Sequence, residues 1–450
     1  MTLSGCDARP TNGLAITSVN IVDVESGRIL PGQTIIIAGD RITAVGPGDR
    51  TSAPRGARTI DGRGGFVIPG LWDMHVHIAD AAYLPLFVAN GVTGVRDMGG
   101  GLSQAGDGCE SLRPEILGEW RAQIQAGRRL GPRIRYSGPA VSGTGWPTSL
   151  PARTEPEAAL AIARLRALRV DFVKVYDGIP RAAYQRLARD SRSAGLPFAG
   201  HVPDDVGPVD ALRAGQRSIE HLRDPLLVCF SGDRPTVERF FSSDNWGPED
   251  LAWGRAAHQQ CPALIGLLRE KDAWLTPTLT VEKAKVAVED GAFAGDPHRR
   301  ALPKSVQAGF AAYVREKRAQ EPGDRASEHL WWRTQQILVR RLNAEGVKFL
   351  AGTDTACQGG LPGRSLHGEL QELVAAGLSP VEALRSATKN PAAYFGQPQS
   401  GSVRAGAPAD LVLLAANPLR DIRNTQDIRA VLLAGRWLPR GDLARLRTAN

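Results

Sequence analysis

The chain has 450 residues, 42% of them hydrophobic and 23% charged, with a formal net charge of +8. Such a composition supports a sizeable buried core and excludes a disordered chain, and the length suits a barrel of ~250 residues with a smaller attached domain. No run approaches the ~18 apolar residues of a membrane span, and the arginine surplus is spread without a dense basic block, which argues against a nucleic-acid partner.

At the start, Leu3-Ser4-Gly5-Cys6 matches a bacterial lipobox, and residues 7–13 form a short polar stretch suited to a tether. The basic and apolar parts of a signal peptide do not precede it. One reading is a lipid anchor at Cys6 in the cell envelope or periplasm; the other is a chance match in a cytoplasmic protein.

Residues 14–69 alternate apolar and polar side chains between turn signals. Ala15–Val19, Thr34–Ile37 and Arg41–Val45 read as short strands, with Gly39-Asp40 turning between the last two. The far end repeats the pattern in Asp410–Leu414 and Ile428–Leu433. These two ends, 14–69 and 398–450, predict one small β-sandwich domain built from both termini.

Between them, 70–397 alternates short apolar runs with helical patterns such as Glu155–Leu168 and Arg181–Ala194, which predicts β/α units and a parallel sheet. Eight strands are expected, near Leu71–Ile78, Thr93–Met98, Arg133–Ser137, Asp171–Tyr176, Pro197–Val202, Ser218–Leu222, Trp274–Leu279 and Lys348–Asp354. Eight such units close into a (β/α)8 TIM-type barrel. Segments 223–273 and 281–345 exceed simple loops and read as substrate-covering insertions or as a subunit interface in a homo-oligomer.

Five cysteines stand at 6, 109, 229, 261 and 357 without a C-x-x-C pair, so a thiolate metal site is unsupported. Buried thiols are the default, and a disulfide such as Cys229–Cys261 is the alternative in an exported protein.

The chemistry gathers at strand ends. His75 and His77 form an H-x-H pair, whose alternation on a strand aims both imidazoles to one side. Alone, the pair fits a metal site or two satisfied structural histidines. Lys174 lies inside the apolar run Phe172–Tyr176, where burial lowers its pKa and a neutral amine can take up carbon dioxide as a carbamate. A snorkelling or ion-paired lysine is the plainer reading. His201, His221 and Asp354 end three further runs, and each could be a satisfied core group. Six such residues at the ends of five strands point together to a metal site at the mouth where barrels do their chemistry. No G-x-S-x-G elbow is present. Tyr176, two beyond Lys174, and Trp146, on the loop after the third strand, are candidate substrate contacts. So is His367, for which helix packing is the alternative.

The order H-x-H, Lys, His, His, Asp resembles the dinuclear amidohydrolase superfamily. The runs Phe66–His75, Asn90–Asp97, Ser386–Ala392 and Ala405–Leu411 carry the likeness over nearly the whole chain apart from the insertions. Around Lys174, His201 and His221 it is most similar to prolidase-like and imidazolonepropionase-related members, although Lys174 argues against imidazolonepropionase activity itself. The resemblance implies a first metal held by His75, His77 and Asp354, and a second by His201 and His221. It implies that Lys174 bridges both as an N6-carboxylated residue, with two divalent ions, zinc being the usual choice. Asp354 would serve as general acid/base toward a bridging hydroxide. The implied reaction on a small-molecule substrate is cleavage of an amide-type C–N bond, in a dipeptide or N-acyl amino acid. The same site could open lactones, carbamates or cyclic imides, and a non-catalytic binding scaffold is the alternative of another class.

Overall fold

The computed structural model describes residues 13–99, 111–145, 148–229, 260–287, 299–300, 302–319 and 322–448. Among these, the chain opens with β1 (Leu14–Asp23), β2 (Arg28–Ala38), β3 (Arg41–Pro47), β4 (Arg58–Asp61) and β5 (Phe66–Pro69). The middle adds β6 (Leu71–Val76), β7 (Val92–Asp97), β8 (Arg133–Tyr136), β9 (Val141–Ser142) and β10 (Leu150–Pro151). It continues with β11 (Val173–Val175), β12 (Phe198–Gly200), β13 (Ser218–Glu220), β14 (Trp274–Thr276) and β15 (Lys348–Phe349). β16 (Leu411–Leu414), β17 (Ile428–Leu433) and β18 (Arg436–Pro439) follow.

The two chain ends share one eight-stranded sheet in the order β18-β17-β16-β5-β1-β2-β3, with β4 on β1. The seam is antiparallel, with Leu411 opposite Pro69 and Leu414 opposite Phe66. Alternation explains the buried face: Ile35, Ile37, Val67, Leu411, Leu413, Ala430 and Leu432 meet in one apolar cluster. Register shifts at Ile16/Val19 and Val19/Ile21 break the alternation of β1. Beyond them the strand changes partner, from β4 at Leu14–Thr17 to β5 at Asn20–Ile21.

The middle strands are parallel, in the sets β6-β7-β8 and β10-β9-β11-β12-β13-β14-β15. Main-chain bonds link the sets at both ends. Asp171 donates N–H to Tyr136 O at 2.9 Å, between β8 and β11. On the other side, Met74 donates to Ala351 O at 2.8 Å, Asp354 donates to His75 O at 2.8 Å, and Val76 bridges Thr355. All eight strands expected in the middle are present, seven of them trimmed at their ends and β7 shifted by one residue from Thr93–Met98.

Helices alternate with these strands for local reasons. Thr154 caps Glu155–Ala167, its hydroxyl accepting from Glu157 N–H at 3.3 Å, with acids in the first turn. Helix Arg181–Ser193 buries Tyr184, Leu187, Ala188 and Ser191, a single stripe at helical spacing. Ser379 and Glu382 form a reciprocal capping box at Pro380–Ser386.

The first long insertion begins as helix Arg223–Cys229 and returns as helix Cys261–Glu270. A disulfide joins Cys229 to Cys261 with their Cα atoms 4.8 Å apart. The second contributes helices Leu279–Ala287, Lys304–Arg318 and Pro322–Ala344. Cys6, Cys109 and Trp146 lie outside the described residues. Among the described residues no helix is long and apolar enough to cross a membrane.

Candidate metal centre

The site starts from how β6 meets the segment after β15. Gly352 lies against β6, where a Cβ would fall 2.8 Å from His75 Cβ and 3.0 Å from His75 N, so only glycine permits this approach. Asp73 braces the same crossing. It accepts from Thr353 Oγ1 at 2.7 Å, from Thr353 N–H at 3.1 Å and from His75 N–H at 3.3 Å, and burial pushes its carboxyl up to about 7. Asp354 takes a left-handed backbone, φ 55°, which turns its side chain onto the histidines.

There, Asp354 Oδ1 lies 3.1 Å from His77 Nε2 and 3.3 Å from His75 Nε2. His75 is 1% exposed and His77 8%. One candidate ligand atom from each of the three lies within 4.8 Å of the others.

The proton inventory gives this trio its meaning. On its other side, His75 Nδ1 meets Glu220 Oε2 at 3.0 Å. Arg96 donates to both Glu220 oxygens at 2.8 Å, and Ser218 donates to Oε1. Burial pushes the Glu220 carboxyl up, but Arg96 and His75 outweigh it and hold it well below the usual carboxylate range. A carboxylate only accepts, so Nδ1 of His75 donates to Glu220 and the ring turns its Nε2 toward Asp354. Nε2 of His75 and Nδ1 of His77 are buried without a hydrogen-bond partner. Burial pushes Asp354 up as well, yet the imidazoles of His75 and His77 hold it well below its ordinary range. The Asp354 carboxylate and the Nε2 atoms of both histidines converge on one largely buried point, where a bound cation would satisfy all three. The donor set, two imidazoles and a carboxylate, fits zinc and its neighbours among divalent ions.

Three further ligand-capable side chains adjoin the trio. His201, just past β12, pairs its Nδ1 with Asp177 Oδ1 at 3.1 Å. His221, just past β13 with φ 62°, pairs its Nδ1 with Thr278 Oγ1 at 2.7 Å. Their ring centroids are 5.0 Å apart, and His221 stands 4.8 Å from His75. Burial lowers the pKa of both imidazoles, His221 the more, so each is neutral and ligand-ready near pH 7. Lys174, on β11, is 2% exposed. Burial pulls its ammonium down against the opposing fields of Glu220 and Asp354. Tyr176 packs its ring 4.2 Å from that of His201 and 6.0 Å from Lys174 Nζ.

His367 corrects the sequence-based expectation of a substrate contact. It is buried in helix Arg364–Ala375, its Nε2 3.0 Å from Asn90 O and its Nδ1 2.9 Å from Thr425 Oγ1. Asn90 precedes β7, at the opposite end of the strands from Asp354, so His367 ties elements together there. The sequence reading did not single out Glu220, Arg96, Asp177 or Thr278. The available signal was a charged residue inside an apolar strand, Glu220 in β13 and Arg96 in β7, each requiring a buried partner.

The sequence profile described as the Amidohydrolase family matches residues 66–438. An adenine deaminase of Paracoccus denitrificans is 26% identical over 221 residues, 46% of this chain and 35% of that enzyme, so the match spans about a third of its length. Among solved structures, a bottromycin amidohydrolase superposes with a TM-score of 0.73 at 24% identity, covering 97% of this chain and 89% of that one. A Xaa-Pro dipeptidase with bound methionine gives 0.67 at 19%, covering 95% and 100%.

Proposed function

The chain belongs to the amidohydrolase family, an enzyme of that hydrolytic type, and from this premise we propose a metal-dependent hydrolase opening an amide C–N bond in a dipeptide or an N-acyl amino acid. The observation that carries the reading is the convergence of His75, His77 and Asp354, with Asp354 Oδ1 3.3 and 3.1 Å from the two Nε2 atoms and one ligand atom of each within 4.8 Å of the others.

In this proposal His75, His77 and Asp354 would hold one divalent cation and His201 and His221 a second, with Lys174, carboxylated on Nζ, as the ligand that would be shared between the two. Zinc suits the ligand set. Cations bound there supply Lewis-acid polarisation of a carbonyl and lower the pKa of water toward neutrality. The chain's own groups do the rest. Asp354, held ionised, takes the proton of the attacking water as its oxygen joins the carbonyl carbon. It then returns that proton to the leaving nitrogen as the C–N bond breaks. Tyr176 stands beside His201 as the candidate contact for the substrate oxygen.

The main-chain bonds at Tyr136–Asp171 and along β6 support closure of the two parallel sets into one (β/α)8 barrel over 70–397. On the same reading the shared terminal sheet is a composite β-sandwich domain of 14–69 and 398–450, its bulged strand β1 turning the sheet on itself. The names of the two structural neighbours, an amidohydrolase and a dipeptidase, favour an amide substrate. All six expected positions carry ligand-capable side chains, which disfavours a non-catalytic scaffold.

The test is a hydrolysis screen over dipeptides, N-acyl amino acids and lactones, with metal content measured on the same sample. Turnover of an amide by metal-loaded protein is expected. Turnover of lactones alone would overturn the substrate class and leave the site standing. Lys174→Ala is expected to lose most of the second metal and nearly all turnover; full activity would remove the bridging role.

A further inference from the structure

The buried pair beneath the site has no part in the ligand set, yet it decides how one ligand presents itself. We propose that Glu220, held by Arg96, is a positioning residue that fixes the tautomer and ring orientation of His75 and thereby sets the affinity of the first cation; this rests on the metal-site reading above.

Glu220 is not itself a ligand, because its oxygens are spoken for. Oε1 accepts from Ser218 Oγ and Arg96 Nη2, and Oε2 accepts from Arg96 Nη2 and from His75 Nδ1. Arg96 is in turn clamped by three other strands. Its Nε donates to Met74 O at 2.6 Å, its Nη1 to Ser218 Oγ at 2.9 Å and its Nη2 to Thr276 Oγ1 at 3.2 Å. The rings of Tyr394 and Phe172 lie 5.0 and 5.8 Å from its guanidinium carbon. The carboxylate therefore cannot swing, and the imidazole it grips cannot rotate. Met74, whose carbonyl takes part in the clamp, immediately precedes His75, so backbone and ring of the ligand are fixed from one point.

The three partners on Nδ1 differ in kind. His201 leans on Asp177, which is partly exposed, and His221 leans on the neutral hydroxyl of Thr278. Only the Glu220 contact combines an anion with complete burial, both side chains being 1% exposed or less. A carboxylate behind a ligating imidazole raises its basicity as well as orienting it, and loss of such a partner typically costs ~10–100-fold in metal affinity.

The experiment uses full-length protein stripped of metal with a chelator. Zinc is then titrated against a chromophoric competitor, for wild type, Glu220→Gln, Glu220→Asp and Asp177→Asn. Thermal melting of each metal-free protein is recorded alongside. Glu220→Gln and Glu220→Asp are expected to weaken the first zinc equivalent ~10–100-fold, with the second changed far less, and Asp177→Asn the reverse. Aspartate keeps a charge for Arg96 while falling short of His75, so it carries the test where the glutamine variant does not fold. A purely structural Glu220 would lower the melting temperature and leave the zinc affinity of the folded protein unmoved, and that result overturns the proposal. Wild type that takes up no zinc would remove the metal reading along with it; wild type that binds as expected, with both Glu220 variants equal to it, removes the positioning role alone.

Discussion

Replacing Arg96 by methionine isolates what a buried charge contributes here. Arg96 and Glu220 are both completely buried, and the guanidinium makes five hydrogen bonds, two of them to the carboxylate. Methionine fills much of the same volume but leaves the Glu220 charge facing apolar wall, with the Met74 carbonyl also deprived of a donor. Summing five hydrogen bonds would overstate the loss, because the site relaxes and the methionine packs. Breaking one side of a buried pair costs ~3–5 kcal/mol in comparable cases. That is a large part of the ~5–15 kcal/mol that separates folded from unfolded domains. The assay is urea unfolding in the presence of a chelator, followed by tryptophan fluorescence, for Arg96→Met, Glu220→Leu and the double variant. The double variant should cost less than the two singles added, by ~0.5–3 kcal/mol of coupling. A single variant that loses under ~1 kcal/mol, or strict additivity of the pair, would refute a mutually dependent buried charge.

Other outcomes follow from the same geometry. The Cys229–Cys261 bond closes a separation of 32 residues, for which chain entropy gives about 4 kcal/mol, so Cys229→Ala/Cys261→Ala should unfold at clearly lower urea and be insensitive to reductant. Asp224 has its carboxyl raised by burial to about 7, above its unfolded value of 3.8; the folded state keeps a proton that the unfolded state releases, so stability falls as pH rises between those values. Asp224→Asn should therefore gain thermal stability at pH 8 and gain little at pH 4, and an equal shift at both pH values would contradict this. His367→Leu strands the Asn90 carbonyl, while the Thr425 hydroxyl keeps its bond to Ile422 O, and should cost ~1–3 kcal/mol of stability while kcat per bound metal stays at the wild-type value.

Much of the architecture is legible in the sequence because parallel strands advertise themselves as short apolar runs between helical stretches. All eight such runs in the middle form strands, from Leu71 to Phe349. β9 and β10 escape because two residues carry no periodicity. β1 is longer than Ala15–Val19 suggests because its register shifts interrupt the alternation that marks a strand. At the site, His75, His77, His201, His221 and Asp354 stand out because each ends a run. Their partners do not, since Glu220 reaches His75 across 145 positions and no local pattern encodes such a meeting. His367 misleads for the same reason: it follows Asp354 closely in sequence, but the helix beginning after Gly363 carries it to Asn90, 277 positions away.

The seam between β5 and β16 has a consequence for biogenesis. β5 passes into β6 through Gly70 alone, so the strand bearing His75 hangs directly from an edge whose neighbour lies more than 300 residues downstream, Pro69 meeting Leu411. While the nascent chain emerges from the ribosome, that edge has no mate and its backbone amides are open to any passing extended segment. Translation must run to the last strands before it is sealed, and a message truncated ahead of Leu411 would yield a chain prone to clump at this margin.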